Sequence, residues 1–518
     1  MLLIALLSMA ATVIVSFLGA RVAAGLSKKL RENVFRKVVS FSSTEFEKFS
    51  TASLITRSTN DIQQIQMMMV MLLRIVFYAP ILGVGGIIKV LNSDYSMGWI
   101  IVIAVGAILI LVIVLFGVAI PKFKMIQKLV DQLNLVTREI LSGIMVIRAF
   151  NTQKHEEKKF EKANWDLTKT NLFVTRTMSL MMPLMMLIMN AITLLIIWVG
   201  ARQIDQGAMQ VGNMMAFIQY AMQIIMSFLM ISMVSIMLPR ATVSAERIGE
   251  VLDAEISVKD LPNPQHFFST QKGLIEFRDV SFRYPGAEED VLSGISFSAQ
   301  PGQTTAFIGS TGSGKTTLIN LIPRFYDITG GQILINGIDI KKVSQHDLRE
   351  KIGYVPQKAI LFSGTIESNL VYGVESTTET ELTKAAATAQ AIDFIRSKEE
   401  GFAANISQGG ANVSGGQKQR LSIGRALVKK PEIYIFDDSF SALDFKTEAA
   451  LRKALREEKT DSTVLIVAQR ISTIMNADQI IVLDEGKIVG KGKHHELMEN
   501  CEVYQQIALS QLSREELA

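Results

Sequence analysis

The nine residues Gly309, Ser310, Thr311, Gly312, Ser313, Gly314, Lys315, Thr316 and Thr317 follow the spacing G-x-x-x-x-G-K-[ST]. Glycines at those positions let backbone N–H groups turn inward around phosphate oxygens. Lys315 can reach β and γ oxygens, the Thr316 hydroxyl can ligate Mg²⁺, and a following helix adds partial positive charge at its N-terminus. A second stretch, Ile-Tyr-Ile-Phe (433–436), runs straight into Asp437 and Asp438. A carboxylate at the end of a buried strand is placed to hold Mg²⁺ through water, and Asp437 is that carboxylate. The bland alternatives are a chance glycine-rich turn and an aspartate that only caps a helix. The strand before the glycine run and the helical stretch after it, "TLINLIPRFY", favour a nucleotide site with Mg²⁺.

The elements that position these residues are legible as an α/β pattern. "IEFRDVSFRY" (275–284) alternates apolar and polar residues, as a half-buried strand does. The later apolar runs "TTAFIG", "IYIFDD", "TVLIVAQ" and "QIIVLDEG" are separated by helical stretches, which predicts a largely parallel sheet. This part is expected over 273–518, behind a linker assigned to 246–272; residues 241–255 read as a helix leaving the membrane, and 256–273 hold two prolines and little periodicity.

The chain has 518 residues, net charge +4 and one cysteine, Cys501, so an intrachain disulfide and a zinc cluster are excluded. Its mean hydropathy of +0.29 points to membrane spans. Apolar stretches at about 1–20, 66–90, 98–120, 175–200 and 211–238 are each long enough to cross a ~30 Å hydrocarbon core. They assign 1–245 to a transmembrane domain. Arg21, Lys28, Lys29, Arg31, Arg36 and Lys37 follow the first stretch, and Lys122, Lys124, Lys128 and Arg138 follow the third. The short loop 92–97 has no Lys or Arg, and 200–209 has only Arg202. By the positive-inside rule the basic loops are cytoplasmic, and so is everything beyond 240. Because the basic residues flank membrane helices, nucleic-acid binding has no support. Methionine runs at 67–71 and 178–189 read as packing and lipid contact, or as an adaptable surface for apolar ligands. Asn190, Gln219 and Gln223 are polar within spans, and Arg74 is the one charge well inside a span.

Three further motifs narrow the class. "VSGGQKQR" (413–420) lies about a hundred residues after the glycine run and just before "IYIFDD". "YVPQ" (354–357) lies between them and offers Gln357; "FRYPG" places Tyr284 before the strand of the glycine run. In this order, with "SALD" (441–444) after the aspartates, they resemble the ATP-binding cassette (ABC) family. Spans ahead of a fused cassette resemble an ABC exporter half-transporter. The resemblance implies an α-helical transmembrane bundle fused to an α/β P-loop nucleotide-binding domain. It implies that the five spans match the second to sixth of a usual six, with the first upstream of Met1. It implies that Tyr284 stacks on adenine, that Gln357 joins Thr316 and Asp437 at Mg²⁺, and that Asp444 belongs to the D-loop. It implies that Ser414, Gly415, Gly416 and Gln417 form the signature that faces a partner's P-loop. The stretches 43–61 and 142–153 resemble the loops that dock on cassettes.

Three positions depart from the family. Asp438 stands where the family usually has a glutamate that polarises the attacking water, and Gln469 where it has a histidine that contacts the γ-phosphate. Gln408 stands where exporters often have glutamate. Aspartate is shorter by about 1.5 Å of reach, and a misplacement of ~1 Å can cost on the order of 10²-fold in rate. Lys315, Thr316 and Asp437 are retained, so the expectation is a site that binds ATP and cleaves it slowly. An intact signature beside such a site implies a heterodimer whose partner supplies its own glutamate and histidine. The expected protein is a multi-pass cell-membrane exporter subunit with a cytoplasmic cassette, moving amphipathic drugs, lipids or peptides. The alternatives are an ATP-gated regulator or channel-like module, a homodimer of two slow sites, and an active site in which Asp438 works through an extra water.

Overall fold

The structure, a computed structural model, describes residues 1–93, 97–267, 272–457 and 461–513. The chain divides into two compact units: Met1–Val39 with Thr51–Asp253, and Ser40–Ser50 with Ala254–Ala518.

Among the described residues, the first unit has five helical runs long and apolar enough to cross a bilayer: Leu2–Val39, Thr51–Val90, Gly98–Ser142, Gln153–Asp205 and Val211–Ile231. Met1 apart, the first four contain the stretches read from the sequence and outrun them; the fifth run ends at Ile231, short of the 211–238 read from the sequence, although the helix itself continues to Leu252. At ~1.5 Å per residue a 45-residue helix such as Gly98–Ser142 is about twice the thickness of the hydrocarbon core, so it continues into water. The run Thr51–Val90 is interrupted by π-helical turns at Arg57–Asp61 and Leu72–Val76. Arg74 lies in the second of these with its side chain exposed. Asn190 and Gln219 are also exposed, and Gln223 is half-buried. Residues 94–96 of the short loop at 92–97 lie outside the described residues.

The helices pack through apolar and small residues. Ile100, Ile101, Ile192, Ile196, Phe217 and Ile224 share one buried cluster. A Cβ on Gly86 would lie 2.7 Å from the Ile224 side chain, so only glycine permits that approach, as is common between membrane helices. Val102, Ile110 and Ile113 are exposed, the surface a bilayer covers. The last helix, Val211–Leu252, carries through the first residues of the span 246–272 that the sequence assigns to a linker. Ile248 and Val251, three apart on one face, are buried there. Arg57 ties the same turn down, donating to the Arg247 carbonyl at 2.6 Å and pairing with Glu250 at 2.8 Å.

The second unit is α/β. Its strands are β1 (Ile275–Phe282), β2 (Leu292–Ala299), β3 (Thr304–Gly309), β4 (Gly330–Ile335), β5 (Ile338–Asp339), β6 (Ile352–Val355), β7 (Gly364–Thr365), β8 (Asn405–Ile406), β9 (Ile433–Asp437), β10 (Thr463–Val467), β11 (Gln479–Asp484) and β12 (Lys487–Gly492). The main sheet has the order β12-β11-β3-β10-β9-β6. All its pairings are parallel except β11 with the edge strand β12. Strand alternation sends Ala306, Ile308, Ile480 and Val482 to one core and Phe307, Ile481 and Leu483 to the other, so both faces are covered. A second, antiparallel sheet has the order β2-β1-β4-β5.

Two local features shape the site. The helix after β3 spans only Lys315–Leu321, shorter than the stretch read as helical. Pro323 cannot continue it, and Arg324 turns the chain with a left-handed φ of 55°. The buried Arg324 guanidinium then binds Asp327 at 2.7 Å and the Lys259 carbonyl at 3.0 Å. Segment Ser40–Ser50 docks on this unit through a six-residue helix, Ser43–Lys48. Glu45 accepts from the Ser42 hydroxyl (2.6 Å) and from the Ser257 backbone N–H (3.0 Å). Burial pushes the Glu45 carboxyl up, but these hydrogen bonds outweigh it and hold it below its ordinary value.

Candidate nucleotide site

The glycine run forms the turn between β3 and the helix Lys315–Leu321. Gly312 and Gly314 have φ of 87° and 93°, a backbone that side chains resist. A Cβ on Gly309 would lie 2.0 Å from the Leu483 carbonyl oxygen, and one on Gly314 2.7 Å from the Leu292 side chain. Both positions therefore need glycine for space as well as for dihedral freedom. Lys315 Nζ donates to the carbonyls of Gly309 (2.9 Å) and Ser310 (2.7 Å) and lies 3.3 Å from the Ser313 hydroxyl. Burial lowers its pKa, and the carboxylates of Asp438 and Asp437 pull the other way. Ser310 reaches Asp484 at 3.4 Å, and Thr311 is exposed.

The two aspartates face different partners. Asp437 ends β9, is buried, and its Oδ1 accepts from the Thr316 hydroxyl at 3.1 Å. Burial pushes its carboxyl up to about 6 against the opposing Thr316 hydrogen bond. Asp438 leaves the strand with a left-handed φ of 44°. Its Oδ2 accepts from Gln469 Nε2 at 2.8 Å and from Gln357 Nε2 at 3.3 Å. Burial raises its pKa too, opposed by hydrogen bonds from Gln357 and Ser441. The structure thus brings Lys315, Thr316, Asp437, Asp438, Gln357 and Gln469 together. It turns the Gln357 amide nitrogen toward Asp438 rather than toward the Thr316–Asp437 pair.

A carboxylate whose pKa is raised by burial, hydrogen-bonded to a threonine hydroxyl, forms with it a suitable pair of hard oxygen donors for Mg²⁺. Among the described residues no group of three or more His, Cys, Asp or Glu could cage a metal. Mg²⁺ is ordinarily held by one or two protein oxygens plus phosphate and water, so the pair fits it together with a bound nucleotide. Bound there, the ion supplies charge neutralisation at the β and γ oxygens.

Tyr284 does not lie open. Its ring packs edge-on against Phe282 (4.9 Å) and Tyr326 (5.3 Å), and its hydroxyl lies 3.0 Å from that of Thr317. Ser414 and Gln417 close a capping box on the helix Gly415–Lys429, with Ser414 N–H to Gln417 Oε1 at 2.9 Å. Ser414 and Gly415 are exposed, and Gly416 sits 3.4 Å (as a Cβ) from the Ala442 carbonyl. Asp444 caps the helix Phe445–Glu457 through the Thr447 N–H at 2.9 Å and hydroxyl at 2.8 Å. These bonds hold its carboxyl below its ordinary value. Gln408 is exposed in a short 3₁₀ turn.

Some participants escape sequence reading. Gln511, far along the chain, donates to the Gln469 carbonyl (2.7 Å) and accepts from the Ile471 N–H (2.8 Å), gripping the turn that carries Gln469. Asn320 accepts from the Tyr354 hydroxyl at 2.9 Å. Arg470, at the N-cap of the short helix Ile471–Ile474, stacks over Phe445 at 5.2 Å and lies 3.6 Å from buried Glu448. Nothing in local spacing signals the first two contacts. Tyr354 is at least adjacent to the "YVPQ" glutamine.

A largely parallel sheet, a glycine cradle with its lysine, a hydroxyl–carboxylate pair and, among the described residues, five apolar helices define a membrane-anchored P-loop ATPase class. Comparison with known proteins narrows it. Residues 1–228 match the family model of the ABC transporter transmembrane region, and residues 292–441 that of the ABC transporter. An uncharacterized ABC transporter ATP-binding protein of Mycobacterium tuberculosis is 41% identical over 96% of this chain and 85% of its own length. The ATP-dependent lipid A-core flippase of Pseudomonas fluorescens is 35% identical over 93% of this chain and 80% of its own. In three dimensions the chain is similar to a bacterial Atm1-family ABC exporter solved with ATP bound, with TM-score 0.78, 27% identity, and 94% and 85% of the two chains covered. The chain belongs to the ABC transporter family. It is a multi-span cell-membrane protein of the exporter type with a cytoplasmic ATP-binding domain, and such exporters work as dimers.

Proposed function

We propose that this chain is one half of an ATP-driven exporter whose own nucleotide site binds Mg²⁺–ATP but hydrolyses it slowly. Its signature, Ser414 to Gly416, completes the hydrolytic site of a different half-transporter. In this reading Tyr284 stacks on adenine, Lys315 and the loop from Gly309 to Thr317 hold the phosphates, and Thr316 with Asp437 holds Mg²⁺. The transmembrane domain is assigned to 1–245 and the cassette to 273–518.

The observation that carries the reading is the setting of Asp438. A general base has to come within about 2.6–3.2 Å of the water it activates. Asp438 is one methylene shorter than glutamate, and one of its oxygens already accepts from two amides, Gln357 and Gln469. Gln469 can donate a hydrogen bond but brings no imidazole charge to the γ-phosphate. The exposed signature, by contrast, is intact and pre-capped. Exposed Met145, Val146 and Phe150, around the short helix Ile144–Ala149, give the loop 142–153 an apolar surface for docking on a cassette.

The cargo is amphipathic. A cavity of about 550 Å³ in the membrane unit, lined among others by Arg31, Ser58, Gln66, Met67, Met71 and Met237, offers a cation, amides and thioethers side by side. The name of the Pseudomonas fluorescens relative, a lipid A-core flippase, supports the same class.

The test is ATPase turnover of the chain alone and co-purified with its partner half. The pair is expected to hydrolyse ATP, to lose that activity on Ser414→Arg, and to keep it on Asp438→Asn. Fast turnover by the chain alone, abolished by Asp438→Asn, would overturn the reading.

A further inference from the structure

An unbroken set of contacts inside the cassette unit runs from the P-loop to segment Ser40–Ser50. Thr317 of the P-loop meets the Tyr284 hydroxyl at 3.0 Å. The Tyr284 ring stands perpendicular to the Tyr326 ring, with centroids 5.3 Å apart and an interplanar angle of 88°. The Tyr326 hydroxyl donates to Glu47 Oε1 at 2.6 Å. Glu47 lies on the docked helix Ser43–Lys48 and is otherwise exposed.

We propose that Tyr326 and Glu47 are positioning residues through which base stacking on Tyr284 and docking of segment Ser40–Ser50 favour one another. The proposal rests on the assignment of Tyr284 to adenine made above. A ring that turns flat onto a base changes its edge contact with Tyr326. Space for that movement exists: a cavity of about 340 Å³, bounded among others by Thr44, Tyr284, Tyr326 and Asp327, adjoins the rings. Tyr326 itself cannot follow freely. It is buried, and the turn that carries it is pinned by the Arg324 bonds to Asp327 and to the Lys259 carbonyl. Its hydroxyl therefore keeps one direction, toward Glu47. Burial and the Glu47 carboxylate push the Tyr326 pKa well up, so the hydroxyl remains a donor. Linkage makes the effect reciprocal. If base binding strengthens the Glu47 contact, that contact strengthens base binding by the same factor.

Inorganic tripolyphosphate separates this route from the phosphate cradle, because it has no base. The experiment measures equilibrium binding of radiolabelled ATP, and of tripolyphosphate by competition, to the full chain in lipid nanodiscs with Mg²⁺. Tyr326→Phe and Glu47→Ala are each expected to weaken ATP binding about fivefold, the low end of typical coupling. The double variant should be no weaker than either single one, and tripolyphosphate affinity should not move. Glu47→Gln, which keeps the acceptor oxygen, should restore ATP affinity. Unchanged or tighter ATP binding, additive losses, or an equal loss for tripolyphosphate would overturn the proposal. Tyr284→Ala serves as the control. If it weakens ATP while Tyr326→Phe and Glu47→Ala do not, the relay alone fails. If it leaves ATP affinity unchanged, the adenine assignment fails and the relay with it.

Discussion

Asp437 and Asp438 are neighbours of the same type, both buried, yet they face different partners. Asp437 is the last residue of β9, so its side chain is aimed by the sheet at Thr316 on the P-loop helix. Asp438 has left the sheet in a left-handed turn and faces two glutamine amides brought from other loops. Asp437 and Thr316 thus sit on a strand and a helix, whereas Asp438 sits on a turn, where the length of a side chain decides its reach. In the proposed reading the loss of one methylene at Asp438 therefore matters more for cleavage than for binding.

Lys315→Ala is expected to break the binding half outright, with ATP affinity falling at least a hundredfold while the chain still inserts and folds. Equilibrium ATP binding checks this, and retained affinity would mean that the cradle is not where phosphates sit. The next largest effect sharpens the other half. Asp438→Glu with Gln469→His should raise turnover on the order of 10²-fold, the scale of a ~1 Å correction in reach, and leave ATP affinity within about twofold. Steady-state ATPase with a parallel binding measurement separates the two.

A smaller effect follows from protonation. The Asp437 carboxyl is pushed up to about 6, so below that pH it carries a proton that Mg²⁺ has to displace. Mg²⁺-dependent ATP affinity should fall as pH drops below 6, approaching tenfold per unit for a single displaced proton. Asp437→Asn should remove this component and leave only the titration of ATP itself. The smallest effect concerns the grip on the Gln469 turn. Gln511→Ala, by removing two hydrogen bonds, should cost roughly 1–3 kcal/mol of cassette stability without changing ATP affinity, as read by thermal unfolding beside a binding isotherm.

The class of the fold and most of the binding half were legible in the residues. Gly309 and Gly314 carry a signal because no other residue type meets the dihedral and steric demands seen there. The membrane helices were legible as apolar runs, but not their lengths. Beyond the bilayer, a helix such as Val211–Leu252 is held by contacts such as Arg57 with Arg247 and Glu250, which local hydropathy does not encode. The expectation of Gln357 near the aspartates came from its motif, but the direction of its amide toward Asp438 was not legible.

Sequence by itself determined that this chain spans a membrane and cradles a nucleotide, because chain length, apolar runs and glycine spacing act locally. Tertiary structure decided which groups face one another. Gln469 and Gln357 meet on one oxygen of Asp438, Gln511 holds the turn behind them, and Tyr326 reaches Glu47 across 279 positions. Such pairings depend on how distant strands and turns are stacked, and a hydrogen bond tolerates only a few tenths of an ångström of error in that stacking.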